Sequence, residues 1–222
     1  MSKIRGIVLA GGLGTRLGEL TRVTNKHLLP VGPWPMIYHP LKKLVGAGIE
    51  NIMIVSGTEH MGQFVELLGS GSKLGADLTY RVQDEPGGIA QALKLTKAFG
   101  SVGDRIVVLL GDNIFYQPIQ PFLKDWQRWP DRAKVVLSKV DRPERFGVAD
   151  ISPGTPARLI KIVEKPVDYV SDLAVTGIYS YPSDVYERYL PYLQRSPRGE
   201  YEITDVNNSY LLFNKLDYAI MD

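Results

Sequence analysis

IVLAGGLGTRLGELTRVTNKHLLPV, residues 7–31, begins as an apolar run, breaks on glycines and then carries two cations, Arg16 and Lys26, ten residues apart. The opening run, read as a strand over 4–10, is apolar apart from Arg5 near its start, as expected of a strand buried on both faces of a parallel sheet. Gly11, Gly12 and Gly14 follow it within four residues. Glycines at a strand end let backbone N–H groups close on oxygen atoms and permit positive φ, so a strand running into glycines and a cation suits a phosphate. A helix or turn after the loop would add a positive dipole end, worth about 0.3–1 kcal/mol at an exposed site.

Outward from this stretch, 52–56 and 106–110 are further short apolar runs, and 36–47 (despite Pro40), 60–68 and 89–99 carry helical spacing. Strands alternating with helices make a βαβ series and predict an α/β fold, a doubly wound sheet whose ligands gather at the carboxyl ends of its strands. Glycines fall at those ends: GGLGTR after Ala10, QDEPGGIAQA after a strand at 79–82, and GDN after Leu110. The second half is β-rich over 134–140, 147–151, 159–164 and 175–181, with Pro143, Pro153 and Pro156 marking turns. Helices are expected over 183–193 and 202–214, then a last apolar run at 218–221. No repeat or long linker interrupts the chain, which reads as one domain, 1–222, with a mixed sheet.

Composition excludes several classes. Hydrophobic residues at 44% and charged residues at 23% of the 222 are ordinary globular usage. A net charge of +2 is far from that of a dedicated nucleic-acid binder. There is no cysteine, so thiolate chemistry and disulfides are out, and His27, His39 and His60 share no zinc-ligand spacing. No apolar run reaches the length of a membrane span or a signal-peptide core, which makes a membrane partner unexpected and the cytoplasm the default compartment.

The glycine loop matches neither common phosphate motif. Gly14 precedes Thr15-Arg16 rather than Lys-Ser or Lys-Thr, which excludes a P-loop, and Gly12, Gly14 and Gly18 miss the strict dinucleotide spacing. A plain strand-to-helix turn would explain glycines alone, but it leaves Arg16 and Lys26 without a reason.

LAGGLGTRL followed by TNKHLLPV resembles the signature of the sugar-phosphate nucleotidyltransferases. YRVQDEPGGIAQAL, VVLLGDNIF, ERFGVADI, IVEKP, AVTGIYSY and GEYEITDVNN are similar to further blocks of that family, in family order across the whole chain. The resemblance implies a three-layer α/β/α sandwich around a mixed, mostly parallel, Rossmann-like sheet, with a nucleotide-binding half over 1–115 and a sugar-phosphate half over 116–222. It also implies transfer of a nucleoside monophosphate from dTTP, or a related NTP, to glucose 1-phosphate or a related sugar 1-phosphate, with Mg²⁺ and release of pyrophosphate. Two anions repel as the sugar phosphate attacks the α-phosphorus, so such a site needs cations on both and in-line positioning.

Residue by residue, the resemblance assigns Arg16 to the triphosphate and leaving pyrophosphate and Lys26 to the α-phosphate region. Leu9, Ala10, Gly11, Gly12, Gly14 and Thr15 form the cradle. Gln83, whose amide can donate and accept at once, corresponds to the residue that pairs with a pyrimidine edge, with Pro86 and Gly88 beside it. Asp112 corresponds to the Mg²⁺ ligand, the alternative for a strand-end aspartate being to cap the next helix. Asn113, Gly147, Glu164, Lys165, Val175 and Tyr179 fall on the sugar-phosphate side, where Glu164 could accept from sugar hydroxyls and Lys165 could pair with phosphate.

The attacking phosphate is already ionised at neutral pH, so no general base is required and the histidines are expected to pack or support. Family members carry a second metal-binding aspartate in an Asp-x-Gly segment, and Asp222 falls before it. The expectation is therefore a chain lacking that segment, with reduced or absent turnover and nucleotide binding largely kept. UTP-, CTP- or GTP-using enzymes and a non-catalytic nucleotide or sugar-phosphate sensor are the alternatives, and the family implies a homo-oligomer.

Overall fold

The computed structural model describes residues 3–12, 14–21, 23–124 and 128–221, and of Thr15 and Arg16 only the backbone. The strands are β1 (Ile4–Leu9), β2 (Pro30–Val31), β3 (Trp34–Pro35), β4 (Asn51–Gly57), β5 (Asp77–Gln83), β6 (Arg105–Leu110), β7 (Ala133–Lys139), β8 (Gly147–Ile151), β9 (Leu159–Glu164), β10 (Leu173–Pro182) and β11 (Leu216–Ile220). The α-helices are α1 (Tyr38–Gly46), α2 (Thr58–Leu68), α3 (Ile89–Lys94), α4 (Val185–Arg188) and α5 (Ile203–Leu212).

Side-chain parity explains the layers. Ile106 and Val108 of β6 enter one core with Ile7 and Leu9 of β1, where they meet Leu93, Tyr186 and Tyr210 from α3, α4 and α5. Val107 and Leu109 enter the other with Val8 and Ala10, against Leu41 and Leu44 of α1 and Phe64 of α2. Strands that are apolar on both faces along most of their length are what a sheet covered on both faces demands. The result is the expected three-layer α/β/α sandwich.

The main sheet runs in the order β11-β7-β10-β6-β1-β4-β5. β5, β4, β1 and β6 are mutually parallel. β10 alone in this row is reversed, pairing antiparallel with β6 and β7, and β11 lies parallel to β7. The β8–β9 hairpin attaches to β10 through Val148 and Ala174. The sheet is thus mixed and mostly parallel, and the carboxyl ends of β1, β5 and β6 share one edge.

Pro40 is tolerated in α1 because it stands in the first turn, where its missing N–H has no intrahelical partner to lose. Two expected helices are shorter. The one expected over 89–99 ends at Lys94, because the buried Thr96 turns its hydroxyl to the Leu93 carbonyl at 2.7 Å and to Tyr186 at 2.7 Å. The one expected over 183–193 stops at Arg188 and resumes as a 3₁₀ turn over Leu190–Tyr192, since Pro191 cannot donate to continue an α-helix. Among the described residues no helix is long and apolar enough to cross a membrane.

Candidate active site

A cleft of about 400 Å³ opens at that shared strand edge. Its floor is the glycine loop after β1, with one wall from the β5–α3 connection and the other from the tip of β6. Of the residues singled out in the sequence, Leu9, Gly11, Gly12, Gly14 and Lys26 line it from the first stretch, and Gln83, Pro86, Gly88 and Asp112 from the later blocks.

Lys26 lies across the loop. A Cβ on Gly12 would come within 3.2 Å of its Nζ, and Gly14, at φ +67°, would press a Cβ to 3.2 Å from its stem. Its position is set by the preceding residue: Asn25 accepts the His27 backbone N–H at 2.9 Å and the His27 ring, and donates to the Ala10 carbonyl at 3.2 Å. Ala10 therefore stands behind the cleft rather than on it. Its carbonyl also accepts from Ser56 at 3.1 Å, and its methyl packs in the α1–α2 core.

Lys26 Nζ meets Asp112 Oδ2 at 2.5 Å. Burial alone would raise the Asp112 carboxyl, but the Lys26 charge and hydrogen bond, helped by His27 and Asn113, hold it below the ordinary carboxylate range. The pair thus presents an ionised carboxylate and an ammonium side by side. Asn113 donates to Asp112 Oδ1 at 2.9 Å and accepts the Gly177 N–H at 2.9 Å, where β10 shifts register between Val175 and Tyr179. Asn113, expected on the sugar side, is thus a strut from the metal-ligand candidate to β10.

Thr15 and Arg16 begin a 3₁₀ segment over Thr15–Thr21, kinked at Gly18, and their side chains lie outside the described residues. Gly147, Glu164, Lys165, Val175 and Tyr179 do not line this cleft; they form a second group around β8–β10. Gly147 faces Glu164 in register, and Glu164 Oε2 accepts from Thr204 Oγ1 at 2.6 Å. Lys165 takes a positive φ of 43° and its N–H donates to the Phe146 carbonyl at 2.8 Å, while its Nζ stands 4.0 Å from Glu164. Val175 and Tyr179 belong to the core on the α3–α5 side. The Tyr179 hydroxyl is pushed well up by burial and then by the Glu164 and Asp112 charges, so it stands between the two groups.

Arg198 ties the groups together: it meets Glu200 at 2.6 Å, Glu202 at 3.3 Å and Glu164 at 3.5 Å. Glu200 lines the cleft. Sequence reasoning missed Glu200 as a wall residue, along with the apolar wall of Ile89 and Ala92, whereas His27 is buried and supports the loop as expected. The block GEYEITDVNN pointed to the segment but no single residue in it was chosen. Among the described residues no group of three His, Asp or Glu could hold a metal by itself. One ionised carboxylate beside a cleft with a glycine loop and a lysine nevertheless suits Mg²⁺, a hard cation that commonly takes one or two protein carboxylates and completes its shell with water and substrate phosphates.

The chain belongs to the nucleotidyl transferase family, whose model matches residues 5–222, and the glycine-lined cleft with Lys26 and Asp112 is the candidate for that family's site in this fold. Its relatives are specific. It is 42% identical over 220 residues to a glucose-1-phosphate thymidylyltransferase of Neisseria meningitidis serogroup A, covering 98% of this chain and 75% of that one. It is 40% identical over 220 residues to the protein of the same name from Mycobacterium tuberculosis, covering 98% and 74%. A crystal structure from Bacillus anthracis, assigned as a glucose-1-phosphate thymidylyltransferase and solved with sucrose, superposes with a TM-score of 0.92 at 52% identity, covering 99% of this chain and 87% of that one.

Proposed function

We propose that the chain transfers the thymidylyl group of dTTP to glucose 1-phosphate, giving dTDP-glucose and pyrophosphate, with Mg²⁺ as cofactor. The observation that carries the reading is the Lys26–Asp112 pair in the same cleft as the buried amide of Gln83. The relatives' names support the choice of nucleotide and sugar.

In this reading Gln83 and the backbone at Gly88 read the base, and the loop 11–16 cradles the triphosphate. A phosphate oxygen of glucose 1-phosphate forms a bond to the α-phosphorus as the bond to the bridging oxygen of pyrophosphate breaks. Lys26 faces the α-phosphate and stabilises charge as it builds, and Arg16 takes the leaving pyrophosphate. Asp112 would hold Mg²⁺, which when bound supplies positive charge to the phosphate oxygens. Before substrate arrives Lys26 and Asp112 satisfy each other; a triphosphate with its cation offers each a new partner.

The nucleophile arrives ionised, so His27 has no proton to remove. Burial and the Lys26 charge lower its imidazole to about 4, which keeps it neutral and confines it to holding the loop. Glu164 would accept from sugar hydroxyls and Lys165 would pair with the sugar phosphate, with Gly147, Val175 and Tyr179 shaping that side. Incubation with Mg²⁺, glucose 1-phosphate and each NTP in turn tests the proposal: pyrophosphate should appear fastest with dTTP, and equal release with ATP or GTP would contradict it.

A further inference from the structure

We propose that Gln91 is a positioning residue that fixes which way round the Gln83 amide faces, and so sets the cleft for a pyrimidine that carries a proton on N3 and against cytosine. The inference rests on the reading of Gln83 as the residue that meets the base edge.

A primary amide has nearly the same shape either way round, but turning it exchanges acceptor and donor. Thymine and uracil present N3–H beside the C4 carbonyl, so an amide that reads both must place its oxygen toward N3 and its nitrogen toward C4. Cytosine presents an unprotonated N3 beside an amino group and needs the opposite order. A freely turning Gln83 would accept either base in the same pose.

The structure removes that freedom through contacts whose direction cannot be reversed. The Gly87 backbone N–H can only donate, and it donates to Gln91 Oε1 at 3.1 Å, so that corner of Gln91 must be the oxygen. The same oxygen lies 2.6 Å from the Gln83 side chain, which must therefore present Nε2 to it. Gln83 Oε1 is left on the opposite side, over Gly11, where a Cβ would sit only 2.4 Å away. Gln83 is 6% exposed, so little water reaches the amide to lower the cost of turning it. Reversal would set two acceptor oxygens against each other and leave a donor unpaired, a penalty worth about tenfold or more in equilibrium.

Gln91 sits in the first turn of α3, four residues after Gly87 and eight after Gln83. The β5–α3 connection therefore delivers both the reading amide and the group that orients it. Gly11 gives the oxygen its seat from the opposite wall.

Equilibrium binding of dTTP and of dCTP to the intact chain, with Mg²⁺, tests this in four proteins: unaltered, Gln91→Leu, Gln91→Glu and Gln83→Leu. The unaltered protein should prefer dTTP. Gln91→Leu removes the acceptor and should narrow that preference about tenfold or more, with dCTP affinity holding or rising as dTTP affinity falls. Gln91→Glu keeps an oxygen for Gly87 and for Gln83 Nε2 and should retain the preference, which a merely structural role for Gln91 would not produce. Thermal melting identifies any variant that fails to fold, and Gln91→Met then replaces Gln91→Leu. If Gln83→Leu abolishes the preference and Gln91→Leu leaves it intact, the inference is overturned and the reading of Gln83 stands. If Gln83→Leu leaves it intact, or the unaltered protein shows none, the reading of Gln83 fails and takes the inference with it.

Discussion

The parallel strands β1, β4, β5 and β6 and the antiparallel group β8–β10 place their polar residues by different means. On the parallel side each such residue follows a strand tip within a short continuous stretch: Lys26 after β1, Gln83 at the end of β5, Asp112 after β6. Parallel strand directions bring these tips to one edge, and Asn25 holds Lys26 over it. On the antiparallel side Glu164 ends β9, faces Gly147 across a hairpin, and is held by Thr204 and Arg198, 40 and 34 residues away in the chain. The first group is built from loops on a rigid edge and the second from side chains bonding across elements. Damage to one should therefore be separable from damage to the other.

Lys26→Ala should break the parallel side most severely, lowering turnover about 10²–10³-fold while leaving the KM for glucose 1-phosphate and the circular dichroism spectrum near their original values. Arg16→Ala is expected to act on the same scale. Near-normal pyrophosphate release from both variants would remove the charge argument.

Acid should also act first on the parallel side, through His27. Its imidazole is lowered from 6.5 to about 4 by burial and then Lys26, with Asp112 pulling the other way. Between those values the unfolded chain binds the extra proton, so the stability is fully present above about pH 6.5 and is lost as pH falls toward 4, in total about 3 kcal/mol. Urea midpoints at pH 7 and pH 4.5 should show this fall and His27→Gln should flatten it; an unchanged slope in the variant would place the acid sensitivity elsewhere.

Gly88→Ala probes the seam where the later part of the chain clamps the first. Gly88 has φ +94°, and an added Cβ would stand 2.7 Å from the Tyr201 carbonyl oxygen. The cost should be about 1–3 kcal/mol, seen as a melting temperature lower by roughly 2–4 °C per kcal/mol, with weaker dTTP binding. Glu164→Gln is the mildest and sharpest separation. It should raise the KM for glucose 1-phosphate about tenfold and leave that for dTTP unchanged, because the lost partner is worth about one charged hydrogen bond. A rise in both would mean the two groups act as one unit.

Most of the parallel side was legible in the sequence because local rules govern it. Apolar runs such as Ile106 to Leu109 fixed the strands, and the residues that follow them carry the polar groups. What escaped there depended on contacts between runs: Ala10 looked like part of the cradle, but its carbonyl is taken by Asn25 and Ser56. Helix lengths failed where single side chains intervene, at Thr96 and Pro191. On the antiparallel side Gly147 and Glu164 stood out as motif residues, yet their partners Thr204 and Arg198 did not, since nothing local to either marks it as a neighbour. Gln91 lies within a motif, but its part rests on a hydrogen-bond direction that only the fold reveals.

The most direct test of the account is a ³¹P NMR time course of the chain with dTTP, glucose 1-phosphate and Mg²⁺. dTDP-glucose and pyrophosphate should appear together in equal amounts as both substrates decline. Pyrophosphate appearing with dTMP while glucose 1-phosphate stays constant, or spectra that do not change, would contradict it.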